Sequence, residues 1–192
     1  MKKKSEKVTS LKPVRIYQLK VTLKWSKPPI WRRLQVRGNT KLNTLHAVLQ
    51  IAMGWCDGHL HVFESGGTHY GEPDPDFPGS MRDESNIRLD RIAQEGGTFR
   101  YEYDFGDGWE HEIRIEKILD PEPGIRYPRC LAGKRACPPE DCGGVPGYEH
   151  LLQVLADPKD EEHQDILEWL GEGFDSEAFD LDAVNSELGE FR

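Results

Sequence analysis

An α+β fold built on an antiparallel sheet is the architecture this sequence predicts, and three observations predict it. Apolar and polar residues alternate over much of the first 120 positions, the mark of half-buried strands. Helix-spaced apolar stripes gather in the last third of the chain. Strands come first and helices last, so hairpins are favoured over a βαβ winding.

Each element follows from its local pattern. Arg15 to Trp25 reads as a strand with Tyr17, Leu19, Val21, Leu23 and Trp25 on its core face and Gln18, Lys20, Thr22 and Lys24 opposite. Ser26-Lys27-Pro28-Pro29 breaks it, and Ile30, Arg32, Leu34 and Val36 open a second strand. Thr40 is placed to cap a helix running to Met53, with Leu42, Leu45 and Leu49 at helical spacing and Gly54 as its stop. His59 to Phe63 is a short strand that Gly66-Gly67 turns back toward His69-Tyr70. Residues 72–86 read as a surface loop, and a short helix is expected around Asp90 to Gln94.

The hairpin at 99–119 is the most informative stretch. Phe99, Tyr101 and Tyr103 share one face of the entering strand. Trp109, His111, Ile113 and Ile115 share one face of the leaving strand, with Glu110, Glu112, Arg114 and Glu116 opposite. Asp104 and Asp107 lie in the Gly-flanked turn between them. After Leu119 the chain is Pro-, Gly- and Cys-rich until Pro146. Two helical stripes follow, Tyr148-Leu151-Leu152-Leu155 and Ile166-Leu167-Trp169-Leu170, and then a brief helix near Asp182 to Leu188. The expected core is Leu19, Val21, Leu23, Leu45, Leu49, Tyr101, Tyr103, Ile113 and Leu151.

Length and composition fit one domain over residues 13–192, preceded by a disordered basic tail, 1–12. The 36% hydrophobic and 31% charged residues are those of a globular protein. No apolar run approaches the roughly 20 residues of a membrane span. The basic start runs into Leu11-Lys12-Pro13 and not into an apolar stretch, so it is no secretory signal and the cytoplasm is the expected compartment. The net charge of −9 is unevenly spread. Up to Lys41 there are 13 Lys and Arg against one acid, leaving 12 bases and 33 acids for the remainder. The two halves either serve different partners or pair within the molecule.

Several constellations carry chemistry. Cys130, Cys137 and Cys142 lie within 13 residues. A loop of that kind can wrap a zinc ion, with His111 or His163 as fourth ligand and Cys56 behind them. The bland alternative is three reduced thiols. Asp104, Asp107, His111, Glu140 and Asp141 can assemble a site for a hard cation or for acid–base chemistry, although Asp107 equally suits a turn cap. His59 and His61 are two apart on a strand and can chelate, but no acid stands beside them in sequence. Lys20, Lys24, Lys27, Arg32, Arg33 and Arg37, interleaved with Trp25 and Trp31, make a basic hairpin suited to nucleic acid or an acidic protein. Common nucleotide-binding and esterase motifs are absent.

Tyr17 to Lys24, Pro29-Ile30-Trp31-Arg32-Arg33, Leu45-His46, Met53-Gly54-Trp55, His59-Leu60-His61-Val62-Phe63, Tyr103-Asp104-Phe105-Gly106-Asp107-Gly108-Trp109-Glu110-His111 and Cys137-Pro138-Pro139-Glu140-Asp141-Cys142-Gly143-Gly144 together resemble the plasmid pRiA4b ORF-three-like family. The resemblance covers Arg15 to Leu188. It implies a single α+β domain carried on plasmids, chromosomes and insertion elements, and it carries over no catalytic residues.

Two functions follow as expectations. The leading one is a non-enzymatic accessory or binding module associated with mobile elements, its cysteine loop braced by zinc and its basic hairpin meeting a partner. The rival is a metal-dependent hydrolase of phosphoester or peptide substrates. Its site would lie between the Asp104–His111 turn and the Cys137–Cys142 loop, with Glu140 or Asp141 activating water.

Overall fold

The computed structural model describes residues 13–76, 79–171 and 173–190; the basic segment 1–12 lies outside the described residues. Its strands are β1 (Ile16–Leu23), β2 (Trp31–Arg37), β3 (His61–Ser65), β4 (Thr68–Gly71), β5 (Arg82–Asp83), β6 (Thr98–Tyr103), β7 (Trp109–Leu119) and β8 (Arg129–Lys134). Its helices are α1 (Leu42–Met53), α2 (Gly144–Ala156), α3 (His163–Leu170) and α4 (Leu181–Glu190). The strands form one sheet in the order β5-β4-β3-β6-β7-β1-β2-β8. Every neighbouring pair is antiparallel except β4 and β5. The α+β expectation holds, and no helix among the described residues is long and apolar enough to cross a membrane.

Strand register explains where the core sits. Leu23 faces His111, Val21 faces Ile113 and Leu19 faces Ile115 across β1 and β7. On the other side of β7, His111 faces Tyr101 and Trp109 faces Tyr103, and Tyr101 in turn faces Phe63 on β3. Alternation puts all of these on one face of the sheet, and all are buried. α1 contributes Leu42, Leu45, Val48, Leu49, Ala52 and Met53 to the same core. Every core residue expected from sequence is buried.

Local differences from the sequence reading have local causes. β1 ends at Leu23, and Trp25, at φ 68°, turns out of the strand to stand 67% exposed with the Lys24 ammonium over its ring. The residue before α1 is Lys41 and not Thr40, and it makes no side-chain cap; the Ile87 carbonyl accepts the Leu42 N–H instead. Gly54, at φ 92°, does close the helix. The 72–86 loop contains β5 and a 3-10 turn at Glu84–Asn86, and the helix expected near Asp90 is a 3-10 turn at Leu89–Arg91.

β8 was hidden in the cysteine-rich segment. It pairs with β2, and α4 packs on it, with Asn185 bonding both the N–H and the carbonyl of Cys130. The loop from Ala136 to Gly143 is tied to the rest of the molecule by polar bonds. Trp55 Nε1 donates to the Pro138 carbonyl at 3.0 Å, and the Gly143 N–H donates to Asp107 Oδ2 at 3.2 Å. Gly144, at φ 69°, lies against the Asp107 carbonyl so closely that any Cβ would collide with it. The Cys loop and the Asp-Gly turn are therefore held face to face.

Candidate metal and ligand site

The turn between β6 and β7 fixes one carboxylate oxygen and frees the other. Asp104 is 7% exposed and sits at φ 56°. Its Oδ1 accepts the Gly106 N–H at 2.9 Å and the Asp107 N–H at 3.3 Å, the local bonding that lets Asp adopt this conformation. Its Oδ2 points to His59 Nε2, 3.7 Å away. Asp141 approaches the same nitrogen from the cysteine loop, its Oδ1 at 3.3 Å. One ligand atom from each of His59, Asp104 and Asp141 lies within 4.8 Å of the other two, and among the described residues this is the only such trio of His, Cys, Asp and Glu. Asp57 and Asp141 share the positive φ of Asp104, both at 59°. Asp104 and Asp141 thus converge on the His59 imidazole, while Asp57 serves the neighbouring His46.

The loop that carries Asp141 is positioned by Glu140, which accepts from the Tyr103 hydroxyl and, at 3.3 Å, from the Cys56 N–H. Burial, then the Glu140 carboxylate, pushes the Tyr103 phenol well above its ordinary range, so the hydroxyl remains a donor. Tyr103 also accepts the Gly58 N–H at 2.9 Å, which holds the segment before β3.

A second cluster lies close by. The rings of His46 and His61 are stacked, with centroids 3.5 Å apart and planes 4° from parallel. His46 Nε2 contacts Asp57 Oδ1 at 2.6 Å, and its Nδ1 contacts the Tyr101 hydroxyl at 2.8 Å. Gln50 Nε2 donates to that hydroxyl, and Gln50 Oε1 accepts the Asp57 N–H, so the amide is oriented. The consistent assignment has Tyr101 donating to Nδ1 and His46 donating from Nε2 to Asp57. Burial, then the neighbouring His61, lowers the His46 pKa and keeps the ring neutral. His61 Nε2 meets the buried Glu84 carboxylate at 2.9 Å. His46, His59 and His61 all line a cavity of about 700 Å³.

The candidate residues of the sequence reading divide accordingly. Asp104 and Asp141 converge; Asp107 and Glu140 join the turn to the loop. His111 lies apart from the His59–Asp104–Asp141 trio: it is fully buried with Trp55 edge-on at 5.3 Å, and neither ring nitrogen has a hydrogen-bond partner among the described residues. Burial lowers its pKa to about 4, which favours the neutral ring. Cys130, Cys137 and Cys142 do not gather into a ligand trio among the described residues. Cys130 Sγ points to the Ala132 carbonyl, burial raises the Cys137 thiol far above its usual range, and burial raises Cys142 to about 12. His163 Nδ1 bonds the Val154 carbonyl between α2 and α3, and Cys56 is exposed.

The basic hairpin is largely spoken for. Arg32 is buried, donating to the carbonyls of Ala52, Trp31 and Lys134 while its guanidinium covers the Phe179 ring. Arg33 makes two bonds to Glu116, and Lys24 pairs with Glu110 at 2.8 Å. Lys20 lies over Trp31 and Arg37 over Tyr127, and both Arg37 and Lys27 are exposed. Sequence reasoning missed His46, Asp57 and Glu84. The only local signal was a histidine on the apolar face of a helix.

Comparison with known proteins agrees with this architecture. The family model for plasmid pRiA4b ORF-3-like proteins matches residues 15–183. An uncharacterised protein of Sinorhizobium fredii, y4hQ, is 40% identical over 173 residues, covering 88% of this chain and 89% of the relative. The crystal structure of a protein of unknown function from Methanosarcina mazei Go1 superposes with a TM-score of 0.82 at 42% identity, covering 89% of this chain and 98% of the other.

Proposed function

The chain belongs to the plasmid pRiA4b ORF-3-like family, and from its geometry we propose a divalent-cation-dependent hydrolase whose cation lies between His59, Asp104 and Asp141. The observation that carries this reading is the convergence of one imidazole and two carboxylates from three separate segments. Three protein ligands leave coordination positions open, which suits catalysis better than a closed structural site. One nitrogen and two carboxylate groups suit zinc or manganese. Such an ion lowers the pKa of bound water and polarises a scissile carbonyl or phosphoryl group. Asp141, with its side chain 74% exposed, is free to adjust to the ion, whereas Asp104 is fixed by its turn. Glu140 is engaged by Tyr103 and Cys56, so its role is to position the loop.

The accessory-module reading has less support, because Arg32 is buried and Arg33 and Lys24 are paired within the molecule. Calorimetric titration of chelator-treated protein with zinc or manganese tests the proposal. One ion per chain is expected, with affinity at least about tenfold weaker in His59→Gln and in Asp104→Asn. Saturation that ignores both substitutions would remove this site.

A further inference from the structure

The cavity beside His59 states its preference through its walls. They come from His46 on α1, from the 57–61 segment, from Glu72, Pro73, Asp74 and Pro75, and from Met81 and Phe105. At about 700 Å³ the cavity has room for a dipeptide-sized ligand. Asp57, Glu72 and Asp74 are exposed on it, and among the described residues no Lys or Arg lines it. The histidines do little to offset these acids: burial favours the neutral form of His46, and His61 Nε2 is engaged by the buried Glu84 carboxylate. Asp104 and Asp141 stand behind His59, and a divalent ion there would balance only those two charges. A half-exposed Phe105 ring and Leu60 complete the wall with apolar surface.

Each of these features acts against a phosphoester. A phosphate entering would face three carboxylates with no guanidinium or ammonium among the described lining residues to meet it. An ammonium or guanidinium group would meet carboxylates and an aromatic face, both of which attract it. We propose that the cavity receives the cationic side chain of a peptide or amide substrate. The peptide half of this statement rests on the hydrolase reading, while the charge preference stands on the cavity alone.

Calorimetry on the full-length protein at low ionic strength separates the two. The probes are Nα-acetylarginine methylamide, Nα-acetylglutamate methylamide and inorganic phosphate, each titrated with chelator present and again with manganese. The arginine probe is expected to bind in both conditions, and the other two are expected not to bind with chelator present. Glu72→Gln and Asp74→Asn should each weaken the arginine probe by about three- to tenfold, and raising salt from about 20 to about 200 mM should weaken it further. These two side chains are exposed on a surface loop, so their replacement leaves the fold in place, which thermal melting checks. With chelator present, binding of the glutamate probe or phosphate as tightly as arginine, an arginine affinity indifferent to both substitutions, or no arginine binding at all would each overturn the proposal. If arginine binds and manganese does not, the hydrolase reading falls while the cavity's preference stands.

Discussion

The buried histidine of β7 gives a stability prediction that can be worked through. His111 is fully buried, its two nitrogens lack partners among the described residues, and its pKa falls from the ordinary 6.5 to about 4 because burial penalises the imidazolium. Between those two pH values the unfolded chain takes up a proton that the folded chain refuses. Protonation therefore favours the unfolded state, and stability falls as pH drops from 6.5 toward 4. One pKa unit corresponds to about 1.4 kcal/mol, so the loss through this residue is about 3 kcal/mol, present in full below pH 4 and absent above about pH 7. His111→Leu is close in volume and removes both polar atoms. At about pH 7.5 it should be neutral or stabilising by about 1 kcal/mol, since the wild-type nitrogens are desolvated without bonds. By about pH 4 its advantage over the wild type should have grown by about 3 kcal/mol. Urea unfolding of both proteins across this range measures the difference, in which the carboxylates common to both cancel. A difference that does not change with pH would refute the argument and return His111 to the list of ionisable site residues.

Two further substitutions separate what holds the cysteine loop. Asp107→Ala removes the acceptor for the Gly143 N–H and should lower stability by about 1 kcal/mol, seen as a lower melting temperature. Cys137→Ser places a hydroxyl where a partly buried thiol packs against the core. It should cost about 1–2 kcal/mol, and added chelator should shift its melting by the same amount as in the wild type. A chelator effect abolished by Cys137→Ser would put a metal back on the thiols.

How much of this was legible in the sequence depended on distance along the chain. The 99–119 hairpin was readable because alternation is a property of neighbours: Tyr101, Tyr103, Ile113 and even His111 landed on the core face that their spacing required. β8 was not, because Arg129 to Lys134 has no alternation of its own; it is a strand because β2 and α4 flank it. Trp25 misled because a run of alternating residues continues on paper past the point where the chain turns out of the sheet. Arg32 misled for the opposite reason. It occupies an inward position of β2, and three carbonyl acceptors make burial of its guanidinium tolerable, which no composition count reveals. For the site, the two halves were recognised as motifs, but their meeting depends on Gly144 against Asp107 and on Tyr103 reaching Glu140. His46, Asp57 and Glu84 come together only through the packing of α1 and the 3-10 turn on the sheet.

The turn at Asp104 shows why structural and chemical readings of the same residue need not compete. Capping a turn takes one carboxylate oxygen; Oδ1 does this through the Gly106 and Asp107 N–H groups. That bonding holds the backbone at φ 56°, a conformation with a cost for a non-glycine residue, and so fixes the direction of Oδ2. A carboxylate held by its own turn loses little further entropy when it meets an ion, whereas a free surface aspartate must be ordered first. Asp141 is the reverse case: the neighbouring Glu140 places its backbone, but its own carboxylate is exposed and free to adjust. One rigid and one adjustable carboxylate around a single imidazole is the arrangement expected where an ion must be held yet its remaining positions exchanged during reaction. On this reasoning Asp104→Asn should damage cation binding more than Asp141→Asn, although Asp141 lies closer to His59. Parallel titrations of the two variants decide the order, and the reverse ranking would mean that the turn serves the fold alone.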